Sequence, residues 1–480
     1  MRTLLSFFIP AVIAFKSHAQ ACSEIIKLRY NPSRYLTLSN DSGSTCVAHI
    51  DKDNEINEID GLLISGELLT SEKSLPKGNI YAGKCNFENQ FKLFYFYLED
   101  NDTYGLYGVS GNSRQLLTES SRSIARLACD RKNLPYYLHA IEDARGIYVC
   151  IPPYESNSDN SAMQLLVLDK SMQVIKEKKL ILPYGGNTLE TLQILPDNQG
   201  NFYILTKQKI ISRAKHPLSR HFLFYYNFQR NSLKEYDLQL QGKNITDAHL
   251  QFNPQQNIIL SGFFSEDLTM QVNGVFHSQI KALGGSMSAI RTRQFLERGL
   301  EALSGDRNAQ SAIPDLELDG MTIDSAGIFL WGERRYSTEH TGIDPLTGRV
   351  YNEIRYHYDD IVVARLDSSG KLISNSIIQK QQTTRDETLF TSYHPFRYGA
   401  ALHFAYNDYP TSRGDSNTIT FWNSSKSFIS ALASVTGEGI VKYRNEKYPD
   451  NLRIIPHLCA GSMLFHADGK EVRVCECRPD

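Results

Sequence analysis

Past its first fifteen residues the chain has no apolar run near the ~18 residues that a membrane-spanning helix needs. It has no charge excess either: 51 Lys and Arg stand against 53 Asp and Glu, a formal net charge of −2. That balance argues against nucleic acid as the main ligand, which calls for a basic domain. It also supplies no attraction to an anionic membrane surface. No Pro/Gly/Ser-rich linker divides the chain, and no segment is low in complexity, so residues 22–480 are expected to fold as one domain. A sustained 3.6-residue apolar period is missing, with one exception. Residues 294–303 place Phe295, Leu296, Leu300 and Leu303 on one side, which predicts a single short helix in a loop. Catalytic signatures are also lacking. No Gly-x-Ser-x-Gly accompanies His357 and its neighbouring aspartates. Cys475 and Cys477 have no second Cys or His pair at zinc-ligand spacing, and no cofactor or metal is expected.

What the chain does have is a two-part repeat. One half is an apolar run, a polar or Gly turn and a second run, as in residues 166–174 and 363–372. The other half is strand, Asp/Asn/Pro/Gly turn and apolar strand, as in 192–205, 250–262, 321–332, 393–404 and 140–150. Gly, Asn or Asp stands where a tight hairpin needs positive φ or a side chain that bonds its own backbone. The runs that follow are β-branched or aromatic, as a buried pleated strand prefers. Further copies of the first half lie near 50–56, 97–104, 224–228, 280–287 and 432–440. Pairing the halves predicts an all-β chain of about seven units, with six or eight as alternatives.

Hairpin units in such number must dispose of their sheet edges, and radial repetition does so with only short edges left. The stretch Asp360-Ile361-Val362-Val363-Ala364-Arg365-Leu366 followed by Asp367-Ser368-Ser369-Gly370 resembles the blades of secreted bacterial β-propeller repeat proteins, which read apolar strand, Asp-x-x-Gly, strand. The resemblance covers roughly residues 45 to 477 and implies a β-propeller. The Trp-Asp and kelch Gly-Gly signatures of other propellers are absent.

The N-terminus reads as a secretory leader over residues 1–21. Arg2 supplies the charge, residues 4–15 are apolar, and Ala19 and Ala21 offer small residues for cleavage. This predicts an exported protein, periplasmic, cell-surface or extracellular. Cys22, just after Ala21, raises lipid anchoring as an alternative, and membrane contact is expected only if Cys22 is lipidated. The eight cysteines (Cys22, Cys46, Cys85, Cys129, Cys150, Cys459, Cys475 and Cys477) form an even set, as a disulfide framework would. Spacing suggests Cys129–Cys150, Cys46–Cys85 and Cys459–Cys475, with Cys22–Cys477 joining the termini. Eight cysteines allow about 105 pairings, so the connectivity stays open.

Two surfaces are candidate sites. Residues 51–60 alternate oxygen-bearing side chains, but Ile56 and Leu62 stand where an EF-hand needs Gly and Glu, so a solvated hairpin tip is expected. The insertion 342–360 enlarges one unit, and loops on a rigid scaffold commonly carry binding. Tyr351, Tyr356 and Tyr358 are expected to form a stacking face, with Arg355, His357 and Asp359 on the other. Trp331 is expected in a blade core, and Arg413-Gly414-Asp415 is a chance tripeptide in a polar loop. The expectation is a non-enzymatic module that binds a protein, peptide or glycan. The alternatives are a glycan-active hydrolase or lyase at the channel, or a lipid-anchored envelope component.

Overall fold

Among the described residues the repeat resolves into eight antiparallel sheets, each built on four strands in meander order, with a short fifth strand in two of them. The structure is a computed structural model. It describes residues 26–28, 34–41, 44–63, 68–71, 75–87, 90–100, 103–113, 115–129, 134–135, 137–152, 162–184, 189–209, 219–266, 271–296, 312–324, 327–343, 347–384, 390–408, 429–446, 453–459, 462–468 and 471–477. The sheets are blade I (35–70), II (80–128), III (139–181), IV (189–236), V (244–294), VI (316–378), VII (393–446) and VIII (453–476). Blade VIII takes its fourth strand, Ile26–Lys27, from the start of the chain, through pairs such as Ile26 with Val472. Strands within a blade are called A to D in the order they pair.

Between consecutive sheets lies a continuous apolar layer. Leu93 and Tyr95 pack with Cys46 and Ala48 between blades I and II, and Leu106 packs with Val149 and Leu166 between II and III. Phe224, Leu260 and Leu330 belong to the layers that follow. Trp331, as expected, is buried in the layer between VI and VII. One last layer joins Phe396 and Leu432 of blade VII, Phe465 and Val474 of blade VIII, and Tyr35 and Val47 of blade I. The ring of sheets therefore closes on itself, and the molecule is a β-propeller. Eight sheets lie within the six-to-eight span read from the repeat. The closing blade is divided between the two ends of the chain, so it shows no complete unit in the sequence.

The turns explain the repeat chemically. In the A–B hairpin of blade IV, Asp197 Oδ1 accepts the amides of Gln199 (2.8 Å) and Asn201 (2.9 Å). In the C–D hairpin of blade VI, Asp367 Oδ1 accepts those of Ser369 and Lys371, both at 2.9 Å, while Gly370 takes φ +80°. Asp169 accepts the Gln173 amide at 2.8 Å in the same way. The aspartate stands in for backbone acceptors, which is why the motif starts with it. The acidic tip at 51–60 is built alike, as a B–C hairpin of blade I: Asp51 Oδ1 accepts the Asp53 amide at 2.9 Å and the Glu55 amide at 3.0 Å.

A four-stranded meander sends its A–B and C–D turns to one end and its B–C and D–A connections to the other. Most connections at the first end are short hairpins. At the second, the loop face, end the strands that flank 151–162, 209–219, 294–316 and 408–429.

Two expectations are corrected here. Arg291–Gln294 is a strand, and Phe295 continues it by donating its amide to Asn273 O at 3.0 Å, so no helix begins at 294. The remainder of that expected helix, 297–303, lies outside the described residues. The cysteine pairings Cys46–Cys85, Cys129–Cys150, Cys459–Cys475 and Cys22–Cys477 are not formed. Cys46, Cys85, Cys129, Cys150, Cys459 and Cys477 are buried thiols, and Cys475 is disulfide-bonded to a partner outside the described residues. The layers give the reason. Cys46 lies in the I–II layer and Cys85 in the II–III layer, with the sheet of blade II between them. Cys129 and Cys150 are likewise separated by the sheet of blade III. The leader, Cys22 and the 413–415 tripeptide lie outside the described residues.

Candidate functional site on the loop face

Blade VI differs from the others in its B and C strands, Gly327–Ile343 and Val350–Leu366, each 17 residues long. Their outer parts pair without a break from Arg335 with Tyr358 to Ile343 with Val350. They form a two-stranded arm on the loop face. A short strand, Gln382–Thr384, pairs with 356–358 and braces its base.

Period two places Ile343, Val350, Ile354, Tyr356 and Tyr358 on one face of the arm and Tyr336, Thr338, Tyr351, Glu353, Arg355 and His357 on the other. Tyr351 is thus corrected. It stands five positions from Tyr356, an odd step, so it shares the face of Arg355 and His357. That second face is internally bonded. The His357 ring stacks on Tyr336 (4.4 Å between centroids, 7° between planes), and its nitrogens meet Thr338 Oγ1 at 2.9 Å and Thr383 Oγ1 at 3.1 Å. Arg355 Nε donates to Glu353 at 2.9 Å. Asp359, expected on the surface, is buried, and burial raises its carboxyl above the usual range. Tyr358 is half-buried at the base. The first face ends in solvent: Ile343 is 68% exposed, Val350 67%, Ile354 47% and Tyr356 40%.

Beneath the arm lies a charged network that sequence reading missed. Arg335 meets three carboxylates: Asp319 Oδ1 at 2.6 Å, Glu333 Oε2 at 2.8 Å and Glu317 Oε2 at 3.4 Å. Tyr393 O–H donates to Asp319 Oδ2 at 2.6 Å, and Ser392 Oγ donates to Glu333 Oε2 at 2.7 Å. Lys380, wholly buried like Glu333, reaches Glu333 Oε1 at 2.5 Å, Tyr358 O at 2.8 Å and Gln382 Oε1 at 3.0 Å. Burial pushes the Asp319 carboxyl up to about 6, against the opposing pull of Arg335. Asp360 also stands at about 6 through burial, partly offset by the Lys380 amide and Arg334.

The network runs from Glu317 to Tyr393, 76 positions of sequence, and has no local motif. One signal was available in principle. The A strands of blades I, II, IV, V and VI share a register shift, at Thr37/Ser39, Tyr81/Gly83, Thr191/Gln193, Ile245/Asp247 and Leu318/Gly320. Asp319 is the extra residue in blade VI, and a bulge re-aims the side chain it carries.

A Ser–His pair occurs on the opposite end, where Ser434 Oγ lies 2.7 Å from His403 Nδ1 beside a cavity of about 810 Å3 between blades VI and VII. The same cross-strand pair recurs in blade V as Ser261 with His277, at 3.0 Å and fully buried. Its recurrence where no substrate can reach marks it as a way of satisfying a buried imidazole. No group of metal-ligating side chains gathers among the described residues, and none of their helices is long and apolar enough to cross a membrane.

The sequence matches no protein-family model and no curated protein. In shape the chain is similar to a polysaccharide lyase, Uly1 (9% identity, TM-score 0.39, covering 94% of this chain and 98% of that one). It is also similar to the β-propeller domain of the Trilobed protease from Pyrococcus furiosus (8%, 0.37, 86% and 99%). A third is the H18N11 neuraminidase-like protein of a flat-faced bat influenza virus (11%, 0.32, 95% and 96%). Likeness at this level carries no argument about activity.

Proposed function

We propose that the chain is an exported, non-enzymatic binding module that grips a protein or peptide segment with the arm of blade VI. The observation that supports this most is the arm's solvent-facing row of Ile343, Val350, Ile354 and Tyr356 on a hairpin whose other face is tied down at its base by the contacts of His357 with Tyr336, Thr338 and Thr383. Aliphatic and aromatic anchors on a rigid element bind at low ordering cost. Beyond Arg334, which pairs with Leu316, the outer edge of strand B carries no paired strand among the described residues. An extended peptide adds to such an edge through main-chain hydrogen bonds. Export to the periplasm, the cell surface or the medium is part of the proposal and rests on the leader-like N-terminus.

A glycan-active hydrolase or lyase is the second reading, and the meeting of Glu317, Asp319 and Glu333 favours it. Acid–base work, however, needs a carboxylate oxygen free to exchange a proton with substrate or water. Both oxygens of Asp319 are taken by Arg335 and Tyr393, and both of Glu333 by Lys380, Arg335 and Ser392. That supports a locking role for Asp319 and Glu333 at the base of the arm. Glu317, 58% exposed and meeting Arg335 through Oε2, is the one carboxylate of the three with an oxygen to spare, and it has no second free carboxylate beside it in this network.

The test compares the intact protein with an Ile343→Ser/Val350→Ser/Ile354→Ser variant on a random peptide display library and on immobilised glycans. Peptides selected by the wild type should bind the variant at least about tenfold more weakly, with unchanged melting. Cleavage of a polysaccharide that is lost in Asp319→Asn would overturn the binding reading.

A further inference from the structure

The ring closes through blade VIII, the one blade built from two separate ends of the chain. Among the described residues its fourth strand is held by two strand pairs, Ile26 with Val472 and Lys27 with Glu471. Ile26 and Leu28 add their packing in the last apolar layer. The first strand of the blade, Arg453–Ile454, is as short, with pairs to Ala467 and His466. Chain ends held by so few contacts open first. Cys475 lies in the strand that receives Ile26 and Lys27, is 2% exposed, and is disulfide-bonded. The chain has eight cysteines, and Cys46, Cys85, Cys129, Cys150, Cys459 and Cys477 are thiols. One cysteine of the chain is left to be its partner.

We propose that Cys475 is bonded to Cys22, and that this disulfide is the clasp that closes the propeller. Chain length permits it. Cys22 stands four residues before Ile26, and four residues reach up to ~13–14 Å. Cys475 stands three strand residues beyond Val472, the partner of Ile26, a span of about 10 Å. The pair is antiparallel, so Cys475 lies on the side of Ile26 from which the N-terminal residues arrive. In forming the bond the two thiols lose two protons and two electrons. The disulfide of a thiol oxidoreductase accepts them by exchange and leaves as a dithiol. The link closes a loop of about 450 residues, and a cross-link over so long a loop removes freedom from the unfolded chain. A sulfur held in a disulfide cannot also carry a thioether-linked lipid, so a chain closed in this way is not anchored through Cys22. The bond rests on the export part of the proposed function, because such links persist in oxidising compartments, and on nothing in the arm.

The test uses the full chain expressed with its leader, alkylated with N-ethylmaleimide in denaturant and without reductant. Digestion combines trypsin with a Glu-specific protease, which cuts at Glu476 and so separates Cys475 from Cys477. Mass spectrometry should find one linked pair, Cys22 with Cys475, and alkylation at the other six cysteines. An acylated Cys22, an alkylated Cys475, or Cys475 joined to any other cysteine overturns the proposal. Protein recovered only inside the cell with all eight cysteines alkylated overturns export and the bond together. Exported protein with Cys22 acylated overturns the bond alone. Cys22→Ser, which leaves the packed Cys475 in place, should melt about 2–5 °C below the wild type, and a reductant should lower that variant no further. Equal melting of the two would show that the bond does not hold the ring closed. Peptide binding by the arm is read separately and bears on none of these outcomes.

Discussion

Replacing Lys380 by Met should destabilise the propeller more than any surface change, and the structure sets the size. The ammonium is wholly buried, ion-paired with Glu333 Oε1 and hydrogen-bonded to Tyr358 O and Gln382 Oε1. Methionine fills the space but leaves Glu333 as a buried carboxylate with one oxygen bare. Breaking a buried pair from one side costs about 3–5 kcal/mol. For 480 residues unfolding as one unit, the entropy is about 1 kcal/mol per degree, which places the fall in Tm at about 3–5 °C. Adding Glu333→Gln should recover part of the loss. The amide oxygen still accepts from Arg335 and Ser392, and the amide N–H2 turns toward the carbonyls that Lys380 had bridged. A coupling of about 2 kcal/mol is expected between the two positions. The assay is urea unfolding followed by the fluorescence of Trp331, two residues from Glu333, with Trp422 replaced by Phe. A single-variant loss below about 1 kcal/mol, or additive single and double losses, would show that the network does not hold the base of the arm.

Stability should fall as pH drops below 6.5. Burial holds His221 and His466 at about 3 and His277 at about 4, so the folded state binds fewer protons than the unfolded chain through this window. Between pH 7 and 5 that costs about 2 kcal/mol per ring, while Asp319 and Asp360, at about 6, take up protons over the same window and return part of it. Denaturant titration should show a net loss, and a flat profile would contradict it. Gly332→Ala should destabilise by at least about 1 kcal/mol in thermal melts, because its Cβ would lie 2.1 Å from Glu317 O across the bulge. Ile354→Ser, by contrast, should move the melting point by less than about 1 °C, since the side chain is 47% exposed on the solvent side of the arm. Peptide mapping without reductant should find Cys475 protected and no Cys46–Cys85 or Cys129–Cys150 link; either of those links would contradict the layer assignment.

The hairpin chemistry could be read from residue order because it is local. Asp367 and Gly370 sit three apart, and the amides they serve lie within four residues. Where the code degenerates, tertiary packing has replaced the glycine. Met172 adopts φ +64° at the position Gly370 holds, and its buried side chain belongs to the layer between blades II and III. The same locality sets the limit. Cysteine pairing depends on which side of a sheet each side chain faces, and Cys129 and Cys150, neighbours in sequence, fall into different layers.

The charged network lies beyond sequence reading for a further reason. It joins an A strand, a bulge, a D-strand extension and the first residue of the next blade, and no spacing rule links those four. All of them arrive at the loop face because a meander sends every B–C and D–A connection there. A blade can lengthen its B–C hairpin into an arm without disturbing the tight turns at the other end. The arm needs a rigid base to present its apolar row, and the fully spent carboxylates of Asp319 and Glu333 supply it. Freeing the oxygens of Asp319 and Glu333 for catalysis would loosen the element proposed to do the binding. Lys380→Met tests the lock, and the arm variants test what it holds in place.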